Sequence, residues 1–122
     1  MALESLLNKI ASEMEGLKGI ALAGMDGLVV AEIQAEIQDG SDVDLTSMVA
    51  EHTPILRQAI RALNSRDAGR AEEICFYTDR DTLLFRMIAN DYFILMVLGS
   101  EGNPGKGRYL LRREGDAVAS AL

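Results

Sequence analysis

Apolar positions along the chain follow two rhythms, and the switches between them mark the elements. Leu3, Leu6, Leu7, Ile10, Met14 and Leu17 recur at steps of three and four. That spacing predicts a first amphipathic helix ending between Gly16 and Gly19. The stretch GIALAGMDGLVVAEI then reads as two apolar runs around Asp26-Gly27. Asp and Gly both tolerate the positive φ of a type I′ turn, so Gly19–Met25 and Leu28–Ile33 are expected to form a tight antiparallel hairpin.

QAEIQDGSDVD is polar and turn-rich and predicts a loop, with Asp44 placed to cap the helix that follows. Leu45, Met48, Val49, His52, Leu56, Ala59, Ile60 and Leu63 form one helical stripe that should reach Asn64 to Arg66. Pro54 interrupts it. A proline inside a helix loses one backbone hydrogen bond and crowds the preceding turn, at about 3 kcal/mol. Either a kink there or a helix whose regular part begins near Thr53 would accommodate it.

Three strands are predicted next: Ala71–Thr78, Thr82–Ala89 and Tyr92–Leu98. Asp79-Arg80-Asp81 and Asn90-Asp91 supply the turns between them. Tyr92–Leu98 is apolar on both faces, as a central strand covered on both sides would be. Glu72, Glu73 and Thr78 mark the first of the three as an edge. Its Ile74, Phe76 and Tyr77 are too apolar for a free edge, and such an edge invites pairing with another chain. The expected fold is α+β, in the order α-β-β-α-β-β-β-α. A five-stranded antiparallel sheet lies between helices in three layers, as a single domain over residues 1–122.

Composition narrows the partners. The chain has 122 residues and a net charge of −7. That charge opposes nucleic acid and anionic membrane surfaces. No apolar run approaches the ~20 residues of a membrane span, and the N-terminus lacks the basic region of a signal peptide. The lone Cys75 excludes an intramolecular disulfide framework, which fits a reducing cytoplasm.

The run VLGSEGNPGKGRYLLRR places a glycine-rich loop with Lys106 between a strand and a helix, the layout of a phosphate-binding loop. The match fails at two defining positions. Ser100 stands where the first glycine belongs, and Gly107 stands where a magnesium-binding Ser or Thr belongs. The structural alternative is that Gly102, Asn103, Pro104 and Gly105 let the chain leave the central strand and enter a helix.

Other reactive groups read the same way. His52, the only histidine, sits on the apolar stripe of the second helix and is expected to be partly buried and hydrogen-bonded. Without a second histidine or a cysteine cluster it has no zinc set to join. Cys75 has no histidine nearby in sequence to activate it and reads as a small hydrophobe. Glu32, Glu36, Asp39, Asp42 and Asp44 read as a solvated loop rather than an acid–base pair. Arg57 and Arg61, with Arg66 and Arg70 beyond, are the one local basic concentration. They form either a solvated helix face, with Glu51 as intrahelical partner, or a contact for an acidic protein surface. No catalytic set, cofactor site or metal site is expected.

ALAGMDGLVVAEI resembles the first hairpin of the roadblock / dynein-light-chain-7 family. The closing segment Asn103-Pro104-Gly105-Lys106-Gly107-Arg108-Tyr109-Leu110-Leu111 is similar to that family's Asn-x-Gly loop followed by arginine and an apolar helix. The element order agrees from about Leu3 to Leu122, whereas Pro54 and the long QAEIQDGSDVD connection depart from the pattern. The resemblance implies one helix on one sheet face and two on the other. It implies a homodimer in which second helices and first-meander edge strands meet, through Leu45, Met48, His52, Leu56, Ala59, Ile74, Cys75, Phe76 and Tyr77. It further implies a Ras-like small GTPase as partner, which some members stimulate without inserting an arginine finger, with Arg57, Gln58 and Arg61 as the contact. Eukaryotic relatives serve as dynein light chains or scaffolds for Rag GTPases.

Three functions are therefore compared. The first is a dimeric GTPase regulator or co-complex partner. The second is a non-catalytic scaffold or light-chain-like adaptor that binds regardless of nucleotide. The third is a small-molecule sensor, which would need a cavity with convergent polar groups that the Leu, Ile, Met and Val core does not offer.

Overall fold

The structure, a computed structural model, describes residues 2–35, 42–89 and 91–122. Within them lie α1 (Ala2–Ser12), β1 (Leu17–Gly24), β2 (Val29–Gln34), α2 (Leu45–Ser65), β3 (Glu73–Tyr77), β4 (Thr82–Met87), β5 (Tyr92–Leu98) and α3 (Pro104–Ser120). The strands form one sheet in the order β2-β1-β5-β4-β3, with every neighbouring pair antiparallel. This is the expected α-β-β-α-β-β-β-α arrangement, and β3 is an edge as its charged ends implied.

Central β5 accounts for the three layers. Its Phe93, Leu95 and Val97 pack with Leu45, Val49 and Leu56 of α2, together with Ala21, Ala23, Leu83 and Phe85. The alternating Ile94, Met96 and Leu98 pack with Leu7 and Ile10 of α1 and with Leu110, Leu111 and Val118 of α3. One helix therefore covers one face and two cover the other. Fully burying a side chain of this size stabilises by about 1.5–3 kcal/mol, so a strand with two apolar faces needs both helical layers. α1 and α3 are tied at their rims. Arg113 donates to Glu13 and, at 2.6 Å, to Glu114, while Lys9 lies 3.4 Å from Glu114. The Arg113 hydrogen bond holds the Glu114 carboxyl below its ordinary range against the opposing effect of burial, and Lys9 adds to it.

Two local expectations are corrected. The first helix stops at Ser12, and Leu17 opens β1 opposite Leu98. The amides of Glu13 and Met14 bond three residues back, to Ile10 and Ala11, which tightens the last turn and ends the helix. Gly16, at φ +75°, then turns the chain into the sheet. Met14 stays buried beside the helix stripe, which is why the apolar spacing runs past the real end.

The hairpin is in place, but its turn is not a two-residue type I′ turn. Gly24 and Leu28 close a three-residue loop through the Gly24 amide and the Leu28 carbonyl, at 3.0 Å. The Gly27 amide bonds the Gly24 carbonyl, and only Gly27 within the loop has positive φ, +86°. An ordinary turn followed by one left-handed glycine is the three-residue hairpin solution. A register shift after Leu22 leaves Val30 unmatched on β2.

α2 runs unbroken from Leu45 through Pro54 to Ser65, so it does not begin near Thr53. Pro54 faces solvent. The buried Thr53 hydroxyl donates to the Val49 carbonyl at 2.5 Å, one position before the carbonyl that the proline leaves without its usual donor. Asp44 caps the helix, accepting from the Ser47 amide at 3.1 Å and its hydroxyl at 2.8 Å. These hydrogen bonds hold its carboxyl below the ordinary range. At the meander turns, Thr78 and Asp81 close the first, and Asp91 sits at φ +69° in the second; Asn90 lies outside the described residues. The glycine-rich loop is a helix start. Asn103 is the N-cap, its side chain accepts from the Lys106 amide at 3.2 Å, and Pro104 takes the first helical position. Among the described residues no helix is long and apolar enough to cross a membrane.

Candidate functional site

The sequence-derived interaction residues divide between two flanks of α2. The stripe Leu45, Val49, Thr53 and Leu56 faces the chain's own sheet. Leu45 and Leu56 are sealed inside the protomer, which corrects their assignment to a dimer surface. A stripe with this spacing marks the buried face of a helix, not which body buries it. Met48, His52 and Ala59 are half-buried beside it. Ile55, 49% exposed, falls between them at steps of three and four, so Met48, His52, Ile55 and Ala59 lie within roughly 60° on a helical wheel. Arg57 and Arg61 lie roughly 140–220° further round. Gln58 is exposed on the outer side.

The Met48 flank leans toward the β3 edge. The His52 ring lies 5.9 Å from the Phe76 ring and 5.6 Å from Phe85, and its Nδ1 is 2.8 Å from the Met48 carbonyl. It is thus the half-buried, hydrogen-bonded histidine that the sequence suggested. Ile74 and Phe76 of β3 pack on this side, and Cys75 packs on the α1/α3 side. An apolar strip therefore runs without a break from α2 onto the sheet edge.

The backbone of that edge has a definite polarity. The Met87 amide bonds the Glu72 carbonyl, and the Thr78 amide bonds the Asp81 carbonyl. With the register Ile74↔Phe85 and Phe76↔Leu83, the antiparallel alternation directs Glu72, Ile74, Phe76 and Thr78 at β4. The N–H and C=O groups of Glu73, Cys75 and Tyr77 therefore point outward, available to another strand. The Glu73 side chain is held from the α3 side. Arg108 Nε donates to Glu73 at 3.0 Å, its Nη2 pairs with the same carboxylate, and this hydrogen bonding holds Glu73 below its ordinary range. Tyr77 is 61% exposed, and its phenol is pushed up by desolvation and by its neighbour Cys75.

The Arg57 flank leans the other way, toward the β1–β2 hairpin. Arg57 Nη1 donates to the Met25 carbonyl at 2.8 Å, not to Glu51. Of the acidic group, Asp44 serves as the helix cap, and Glu36 and Asp39 lie outside the described residues. Sequence reasoning passed over Ile55 on α2 and Leu28 at the hairpin, both apolar and exposed. It also passed over a cleft where Arg57 and Arg61 meet Arg70, Arg86 and Arg112. For Ile55 the signal was present: it completes a second, outer stripe next to the core one.

A three-layer sheet of this order, with an apolar edge strand and one central helix alone on its face, is the roadblock/LC7 fold. No protein-family model and no curated protein matches the chain. Solved structures do. The chain is similar to MglC from Myxococcus xanthus at 27% identity over the whole of both chains, with a TM-score of 0.70. It is similar to a roadblock/LC7 domain from Streptomyces avermitilis at 15% identity, over 100% of this chain and 98% of that one, with a TM-score of 0.84. It is also similar to the gliding protein MglB from Thermus thermophilus at 15% identity, over 99% and 90%, with a TM-score of 0.86.

Proposed function

We propose that this chain is a homodimeric regulator or co-complex partner of a Ras-like small GTPase. The observation that carries the dimer is the outward row of Glu73, Cys75 and Tyr77 backbone groups, bordered by the apolar strip of Met48, His52, Ile55, Ala59, Ile74 and Phe76. Strand-to-strand pairing would satisfy the former and bury the latter. The roadblock resemblance supplies the GTPase. In this arrangement two α2 helices lie side by side and turn their outer and Arg57 flanks toward the partner. GTPase switch loops are ordered by the γ-phosphate, so a surface that binds the ordered loops better shifts the population toward that state.

The two flanks make separate predictions. Reversing charge with Arg57→Glu and Arg61→Glu is expected to leave the dimer intact by light scattering and to weaken GTPase binding by about tenfold or more in calorimetry. Unchanged affinity would remove the Arg57 flank from the contact. Loss of the dimer would show that the flanks are not independent.

A further inference from the structure

The arginine cleft is a second feature that the dimer reading leaves unused. It holds about 1000 Å³ at the end of the sheet where β4 stops and β3 starts, between the C-terminal half of α2 and the middle of α3. Five arginines line it, Arg57, Arg61, Arg70, Arg86 and Arg112, against three acids, Glu72, Asp91 and Asp116. A local surplus of positive charge in a chain of net charge −7 is a reversal of sign. Among the described residues little neutralises it. Arg57 meets a neutral carbonyl, and Arg86 lies 3.9 Å from Glu72. No described acid comes within 4 Å of Arg61, Arg70 or Arg112. The Arg86 side chain is only 17% exposed, and its Nη1 is buried without a hydrogen-bond acceptor. Glu72 stands at ion-pair distance from that nitrogen but beyond hydrogen-bond reach, so it offsets the buried charge only in part.

We propose that this cleft binds an acidic segment of a partner protein, its carboxylates paired with Arg61, Arg70 and Arg112 and its apolar side chains set against Ile60 and Ile88. Guanidinium forks match carboxylates in bidentate geometry. The interleaved acids and apolar lining suit spaced carboxylates better than a dense polyphosphate, which Asp91 and Asp116 would repel. The volume also exceeds what a single phosphate group fills. The site shares Arg57 and Arg61 with the proposed GTPase contact, and Arg70 and Arg112, which lie outside α2, tell the two apart.

The test is fluorescence anisotropy on the full chain with a short labelled peptide of alternating glutamate and leucine. Saturable binding that weakens as salt is raised is expected. Arg70→Glu and Arg112→Glu should each weaken it about tenfold, with Arg70→Gln and Arg112→Gln giving smaller losses. Arg80→Glu, at the opposite end of β3, should leave it unchanged. Equal binding of the glutamine counterpart, wild-type affinity in the Arg70 and Arg112 variants, or no binding would overturn the proposal. Displacement by tripolyphosphate at concentrations below those at which the peptide binds would overturn it in favour of a phosphate site.

Discussion

Gly16→Ala is expected to destabilise the fold by about 3–5 kcal/mol, lowering the melting temperature by roughly 10–20 °C. Two costs combine there. Gly16 sits at φ +75°, a conformation that disfavours any Cβ. A Cβ built on it would also stand 2.7 Å from the Glu101 carbonyl carbon and the Gly102 Cα, which are backbone atoms that no rotamer change can move. The contact cannot relax by separating the two loops without cost, because the Gly99 amide bonds the Gly16 carbonyl at 2.8 Å. Gly69 provides the comparison. Its φ is +94°, yet nothing lies within 4 Å of its Cβ position, so Gly69→Ala should show only the conformational cost of roughly 1–2 kcal/mol. Thermal unfolding of the two variants decides the matter. Equal, small losses would mean that the Gly16–Gly102 approach is not as tight as described.

Cys75→Pro is expected to convert a folded dimer into a folded monomer. The Cys75 amide points away from β4, so proline removes no hydrogen bond within the protomer and removes one from the outward row. Ile74→Pro, one residue earlier, should act oppositely. It deletes an amide that serves β4 and strands the Phe85 carbonyl, at a cost of about 1–3 kcal/mol in the protomer itself. Cys75→Ala keeps the outward amide and should stay dimeric, which separates the backbone effect from the side chain. Light scattering gives mass, and circular dichroism reports folding. A Cys75→Pro dimer as tight as the wild type, or a monomeric wild type, would contradict edge pairing.

Much of this was legible in the sequence because β5 and the two stripes obey simple periods. Tyr92–Leu98 is apolar at every position, and both faces proved to be covered. Asp44 announced its helix by the usual oxygen-to-amide cap, and the Gly102–Gly105 run announced the entry into α3, where Asn103 proves to be the cap. The misses have physical causes. Met14 extends the α1 rhythm after the backbone has left the helix. Asp26-Gly27 suits both two- and three-residue hairpins, and the closing pair Gly24 and Leu28 depends on the cross-strand register. A stripe cannot say whether its own sheet or another chain covers it, so periodicity alone leaves Leu45 and Leu56 open to assignment at an interface. The cleft was hidden most completely. Its arginines come from α2, the loop before β3, β4 and α3, and only the fold brings them together.

The partner is tested most directly by affinity capture on this chain from a lysate of the native organism, in parallel with GDP and with a non-hydrolysable GTP analogue, reading the bound proteins by mass spectrometry. A small GTPase retained preferentially with the analogue is the predicted result. A GTPase held equally in both states would point to the nucleotide-independent scaffold instead, and the absence of any GTPase in either would contradict the proposed function.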